Sequence, residues 1–314
     1  MKKKLLSVLM VAALGIAVLA GCNSATTSSY GSTDSAADPG SSQGESQTQN
    51  FDTGKTISVI TREAGSGTRD AFVELTGVLE EDEAGNETDN TSKGAVTVNS
   101  TQAVMSNVTG NEAAIGYISL GSLNETVKAI KVDGVEATPE TVKDGSYTIA
   151  RPFNIATKTD GQLSEVAQDF IDYILSTEGQ KVVSDNGYIA LEDTKAYAGS
   201  KPEGKVVVAG SSSVSPVMEK LKEAYQAINN NAKIEIQTTD SSSGMTAAME
   251  GTCDIGMASR ALKDEEVESL TPTNIAMDGI AVVVNNANTC EDLTIEQVKE
   301  IFTGNTTVWS DVIK

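Results

Sequence analysis

Apolar residues recur along this chain in two alternating rhythms. Short β-branched runs suited to buried strands give way to three- and four-residue spacings that mark one face of a helix. Ile57, Val59 and Ile60 open the first run, which turns through Gly65-Ser66-Gly67-Thr68 into an expected helix over residues 70–75. Residues 80–90, acidic and rich in turn formers, read as a surface loop. A helix is expected over 100–108, a short buried strand over 114–118, and strands over 127–132 and 147–156, the last broken by Arg151-Pro152. The stripe Leu163, Val166, Ala167, Phe170, Ile171 and Ile174 predicts a helix over 163–175. A shorter helix follows over 178–184, and all periodicity is lost over 192–204, which reads as a linker.

Beyond that linker the opening arrangement returns twice. Residues 205–209 form a strand, Gly210-Ser211-Ser212-Ser213 a turn, and 217–228 an amphipathic helix. Residues 233–237 form a strand, Asp240-Ser241-Ser242-Ser243-Gly244 a turn, and 245–249 a helix. Another strand ends in polar residues at Ser259-Arg260. A long strand spans 275–285, interrupted at Asp278-Gly279, and a helix capped by Thr294 covers 293–302. Alternating strands and helices predict an α/β fold with largely parallel sheets, whose ligands bind beyond the carboxyl ends of the strands.

The N-terminal region reads differently. Lys2-Lys3-Lys4 followed by an apolar run predicts a signal peptide over 1–21. Leu19-Ala20-Gly21-Cys22 resembles the bacterial lipobox, which implies cleavage before Cys22, acylation of its thiol and an anchor that does not span the membrane. Residues 22–54, dominated by Ser, Thr, Gly and Gln, cannot bury a core and read as a flexible tether.

Composition narrows the chemistry. The net charge of −21 becomes −24 once the three leader lysines are removed, which argues against nucleic acid or anionic lipid as a partner of the folded body. A small anion is not excluded, because donors at helix termini outweigh distant surface charge screened within roughly 10 Å. The chain has no His, which removes Ser-His-Asp and Cys-His catalysis and HExxH zinc chemistry together. No enzyme activity, metal or cofactor is therefore expected. Cys253 and Cys290 either pair or serve as small buried hydrophobes.

The candidate chemistry lies in the turns. A strand, a small-residue turn and a helix N-terminus bring free backbone N–H groups and the positive end of the macrodipole to one point. Arg62 and Arg69 flank the first such turn, and a guanidinium fork matches a tetrahedral oxyanion. Each Ser or Thr has an alternative role as a helix cap, and both roles are compatible. Three such turns at strand ends point to one converging oxyanion site.

The chain resembles the phosphate-binding proteins of ABC phosphate importers (PstS type). The resemblance rests on R-E-A-G-S-G-T-R at 62–69, A-I-G-Y-I-S at 114–119, A-R-P-F-N-I at 150–155, V-V-V-A-G-S-S-S-V-S-P at 206–216, D-S-S-S-G-M at 240–245, D-I-G-M-A-S-R at 254–260 and I-F-T-G with Trp309. It implies a two-lobed, type II periplasmic-binding-protein-like fold. The family's order of motifs is exchanged here, which implies a circular permutant with residues 192–204 bridging the old termini. One lobe would comprise 55–150 with 281–314, the other 151–280. By resemblance Arg62, Ser66, Gly67 and Thr68 bind phosphate from one lobe, and Ser212, Ser213, Ser241 and Ser259 from the other. Two departures stand out. Ala64 occupies a position where many members carry an acid that buttresses the arginine, and Ser259-Arg260 stands where many carry an Asp that accepts the ligand proton. Asp240, Asp278 and Arg260 are the candidates for acceptor or supporting roles. The resemblance further implies an extracytoplasmic, lipid-anchored monomer serving ABC permease subunits. Alternatives are a receptor for sulfate, molybdate or another oxyanion, a sensor or surface protein, and a serine hydrolase.

Overall fold

The computed structural model describes residues 51–313. The expected signal peptide, Cys22 and residues 22–50 of the tether lie outside the described residues, whereas 51–54, expected as its end, join the folded body: Phe51 is buried edge-on against Trp309, and the Thr53 carbonyl accepts from the Ser310 amide. β1 (Ser58–Arg62) enters α1 (Gly67–Leu75), β2 (Val96–Val98) enters α2 (Thr101–Thr109), and β3 (Ala114–Ser119) follows. β4 (Ala150–Lys158) leads to α3 (Glu165–Ile174) and α4 (Thr177–Asp185). Then come β5 (Gly204–Ser211), α5 (Ser215–Ile228), β6 (Ala232–Thr239), α6 (Ser241–Glu250), β7 (Ile255–Ala258), β8 (Leu270–Val284) and α7 (Ile295–Thr303).

The strands order as β6-β5-β7-β4-β8-β3-β1-β2, with the short strand Lys128–Ala129 added on β8. Pairing is parallel within β6-β5-β7 and within β3-β1-β2. It is antiparallel from β7 through β4 and β8 to β3.

Two large apolar cores divide the body. Ile60, Phe72, Ile115, Val282, Ile301 and Trp309 belong to the first, and Phe153, Phe170, Val208, Leu221 and Met257 to the second. β4 and β8 cross between them: Ala150 packs against the first core and Ile280 belongs to it, while Phe153 and Ala276 lie in the second. At the crossing Arg151 and Asp278 are register partners.

Several elements differ from their sequence pattern. β4 runs unbroken through Arg151-Pro152. Opposite Pro152, Met277 exchanges backbone hydrogen bonds with Ile189, so the missing proline N–H leaves no gap in the ladder. β8 begins earlier than expected and passes through Asp278-Gly279 as one strand of 15 residues, with a bulge between Asn274 and Ala276. The stretch expected as a loop at 80–90 holds a hairpin of Leu79–Glu81 with Glu87–Asp89, its turn closed by Asp82 accepting the amides of Ala84 and Asn86. The strand over 127–132 divides into Lys128–Ala129 and Lys131–Val132. α1, α5 and α6 begin at Gly67, Ser215 and Ser241, because small and hydroxyl residues expected as turn form the first helical turn. The segment 192–204 is tied down through Asp169, which accepts from the Tyr197 hydroxyl at 2.6 Å and the Ser200 amide at 3.0 Å. Cys253 and Cys290 are buried free thiols.

Candidate functional site

The carboxyl ends of β1, β5, β6 and β7 deliver Arg62, Ser211, Thr239 and Ala258 to one region, and the helices that follow β1, β5 and β6 begin there. The first amides of each helix have no acceptor inside the helix; caps take some of them, and three N-termini bring the rest and their partial positive charge to the same region. Gly65 has φ +87°, a left-handed conformation that favours glycine and lets the chain leave β1 and enter α1 tightly. A Cβ at Gly67 would lie 2.5 Å from Ser241 Oγ and 2.9 Å from Ser259 Oγ. Glycine there is what permits the two sides to approach.

The side chains expected to bind the anion directly are buried. Arg62, Ser66, Thr68, Ser213, Ser241 and Ser259 are 2% exposed or less, and Ser212 is 8% exposed. Arg62 Nη2 donates to Ser212 Oγ at 3.1 Å, and Thr68 Oγ1 lies 2.8 Å from Ser213 Oγ. Ser241 Oγ accepts the Ser259 amide at 3.1 Å, and the two hydroxyls are 3.4 Å apart. Ser66 caps α1, accepting the Arg69 amide.

The polarity of these hydroxyls follows from their partners. Ser212 accepts from a guanidinium, Ser241 from a backbone amide, and Thr68 from Arg151 Nη1 at 2.8 Å. None of those three partners can accept a hydrogen bond. Each hydroxyl therefore accepts in that bond and has its own hydrogen for a neighbouring hydroxyl or a ligand. The site presents donors from both sides and suits a compact, acceptor-rich anion.

The charged neighbours are already committed. Arg62 is gripped by Glu63 through Nε and Nη2, both at 2.8 Å, while its Nη1 donates to none of the described residues. Glu63 thus does what was sought at position 64. β1 ends at Arg62, so the next side chain is released from strand alternation and folds back along the guanidinium. Asp240 caps α6, accepting the Ser243 amide at 2.8 Å and its hydroxyl at 2.6 Å. Asp278 is fully buried and accepts from Arg151 Nη2 at 3.1 Å, Ser119 Oγ at 3.0 Å and the Gly121 amide at 3.3 Å. Burial pushes its carboxyl above the usual range, with Arg151 opposing. Arg260 spans the two sides, donating to Glu266 with Nη1 and Nη2 and to Asp70 of α1 with Nε at 3.0 Å. Burial works against the Glu266 carboxylate, but the Arg260 hydrogen bonds, the Lys263 amide and the charges of Arg260 and Lys263 together outweigh it and hold its pKa below the usual value. Arg69 is turned outward, toward Asp89 and the Arg62 carbonyl.

Sequence reasoning assigned no role to Glu63, Arg151, Thr101 or Tyr117. Thr101 Oγ1 is 3.0 Å from Ser213 Oγ and begins α2 directly after its Ser100 cap. That is another hydroxyl-bearing helix start, the signal that marked the other turns. Tyr117 stacks on Phe72 and places its hydroxyl on Thr61 and the Arg62 amide, bracing the end of β1.

A family model described as a PBP superfamily domain matches residues 42–178 and 195–314. The chain is 50% identical over 315 residues to the phosphate-binding protein PstS 2 of Streptococcus agalactiae, covering 100% of this chain and 99% of that one. The crystal structure of a phosphate ABC transporter phosphate-binding protein from Streptococcus pneumoniae is 50% identical, with a TM-score of 0.65, and covers 82% of this chain and 100% of that one. The phosphate-binding protein PstS of Staphylococcus saprophyticus matches at 37% identity over 120 residues, 36% of this chain and 38% of that one. This chain belongs to the PBP superfamily and, within it, to the family of PstS phosphate-binding proteins.

Proposed function

We propose that this chain is an extracytoplasmic receptor that captures inorganic phosphate between its two lobes and hands it to the permease of an ABC importer. The observation that carries this reading is the donor polarity of Ser212, Thr68 and Ser241, set by partners that only donate. Arg62 adds a charge with Nη1 left over from its Glu63 pair. The lobes are those built on the two apolar cores, with 55–150 and 281–314 on one side and 151–280 on the other. Donors from both sides favour closure over a bound anion by a hinge at the crossing strands. Binding and release, without bond-breaking, is the whole of the activity.

The same reading includes acylation at Cys22, a monomeric state and an exchanged order of halves relative to other family members. The confinement of the Staphylococcus saprophyticus match to 120 residues supports the exchange, as does the Asp169-anchored bridge over 192–204.

A second reading, a more general oxyanion receptor, is favoured by the engagement of every candidate acceptor. Asp240 is a helix cap and Asp278 is held by Arg151, so both candidate carboxylates are already committed to other donors. Calorimetric titration of the protein with phosphate and then sulfate, at two pH values, separates the two. Phosphate binding with negligible sulfate binding is expected. Equal binding of both anions establishes the general receptor, and absence of both overturns the site.

A further inference from the structure

Building on the phosphate reading, we propose that Arg151 is a positioning residue for anion capture, clamped to Asp278 between the crossing strands and fixing the Thr68 hydroxyl as a donor into the site. Arg151 is 2% exposed, and its guanidinium lies 5.1 Å from the Phe153 ring centroid. Nη2 is held by Asp278 at 3.1 Å, and Asp278 is held in turn by Ser119 Oγ and the Gly121 amide. The head group is thus fixed by a strand-to-strand pair and an aromatic face before it meets anything in the site. Nη1 then donates to Thr68 Oγ1 and to the Ser259 carbonyl, both at 2.8 Å.

A guanidinium has no acceptor, so the Thr68 oxygen must accept and its hydrogen must point elsewhere. Without Arg151 the hydroxyl is free to rotate and to donate its hydrogen to Ser213 Oγ, 2.8 Å away, and it then offers a bound anion only lone pairs. The charge of Arg151 is balanced by Asp278, so its contribution is orientation more than attraction. The geometry also gives timing. Thr68 starts α1 on one lobe and Ser259 follows β7 on the other, whereas Arg151 rides on a strand that crosses between the cores. Nη1 holds both only while the lobes are together, so the Thr68 donor is set as they close.

The test is a double-mutant cycle on the full chain, titrated with inorganic phosphate. Arg151→Lys keeps the positive charge but loses the planar fork. It is expected to weaken binding about tenfold in the wild-type and Thr68→Ser backgrounds, and less than about twofold with Thr68→Val, where no hydroxyl remains to orient. A merely structural role gives the same fold loss in all three backgrounds and overturns the proposal. Asp278→Asn loosens the clamp from its other end and must show the same dependence on the hydroxyl at position 68, which keeps the test decisive if Arg151→Lys does not fold. A wild-type chain that ignores phosphate overturns the phosphate reading and this inference with it. A wild-type chain that binds phosphate, with equal losses in every background, overturns this inference alone.

Discussion

Arg62 and Arg260 are both buried arginines, each gripped by one glutamate through two nitrogens, yet they are suited to opposite tasks. Arg62 faces Glu63 on one edge and touches Ser212 with the same Nη2, leaving Nη1 uncommitted among the described residues. Arg260 has no spare nitrogen: Glu266, Asp70, Ser242 and the Ala261 carbonyl account for Nε, Nη1 and Nη2. One carboxylate orients a guanidinium and leaves it able to bind an anion. Two carboxylates from different elements spend it on holding those elements together. The ratio of carboxylates to donor edges, more than burial, separates the arginine proposed as the anion's partner from the brace.

The largest test of this contrast is Arg62→Ala, which should cost about 3–5 kcal/mol of phosphate binding, because a buried anion loses its counter-charge. Calorimetry reads it directly, and wild-type affinity in the variant would show that Arg62 is not the anion's partner. Arg260→Ala should act on the other axis, lowering the stability of the folded chain by about 3 kcal/mol in urea titrations, since Glu266 stays buried without its partner. Its effect on phosphate affinity should be smaller than that of Arg62→Ala, and the reverse ranking breaks the comparison. Ser241→Ala should weaken binding by about 1–2 kcal/mol, for one lost donor and an orphaned Ser259 amide.

The smallest effect is one of pH. The Glu266 pKa is held below its ordinary value of 4.5, so the stability this group contributes is fully present above pH 4.5 and is lost as pH falls through the lowered value. The stability difference between wild type and Glu266→Gln should therefore shrink on acidification below pH 4.5. A difference that stays constant from pH 7 to pH 3 would show that the brace is not ionic.

What was legible in the sequence was local. Gly65-Ser66-Gly67-Thr68 and the two Ser-rich turns carry cap and turn chemistry that operates within a few residues, and the structure places their side chains together. The paired partners were hidden because they depend on register between distant segments. Arg151 meets Asp278 across 127 residues, and Thr101 meets Ser213 across 112. Pro152 in a central strand reads as a break until Met277 is seen to bond in the other direction, to Ile189. Asp240 teaches the converse lesson. An Asp just before a Ser run is a strong cap signal, and the cap is where its oxygens are used.

β8 lends Leu270–Gly279 to pairing with β4 and Ile280–Val284 to pairing with β3. Because its residues line both apolar cores, neither core can be completed while this strand is unpaired, and its partners lie far away along the chain. Closing such large loops is entropically slow, so pairing of this strand is expected late in folding. The two halves are therefore expected to melt as one cooperative unit, with coincident urea transitions for probes in either core, even with the hinge proposed between them. The strand that would act as the hinge is also the one whose residues complete both cores.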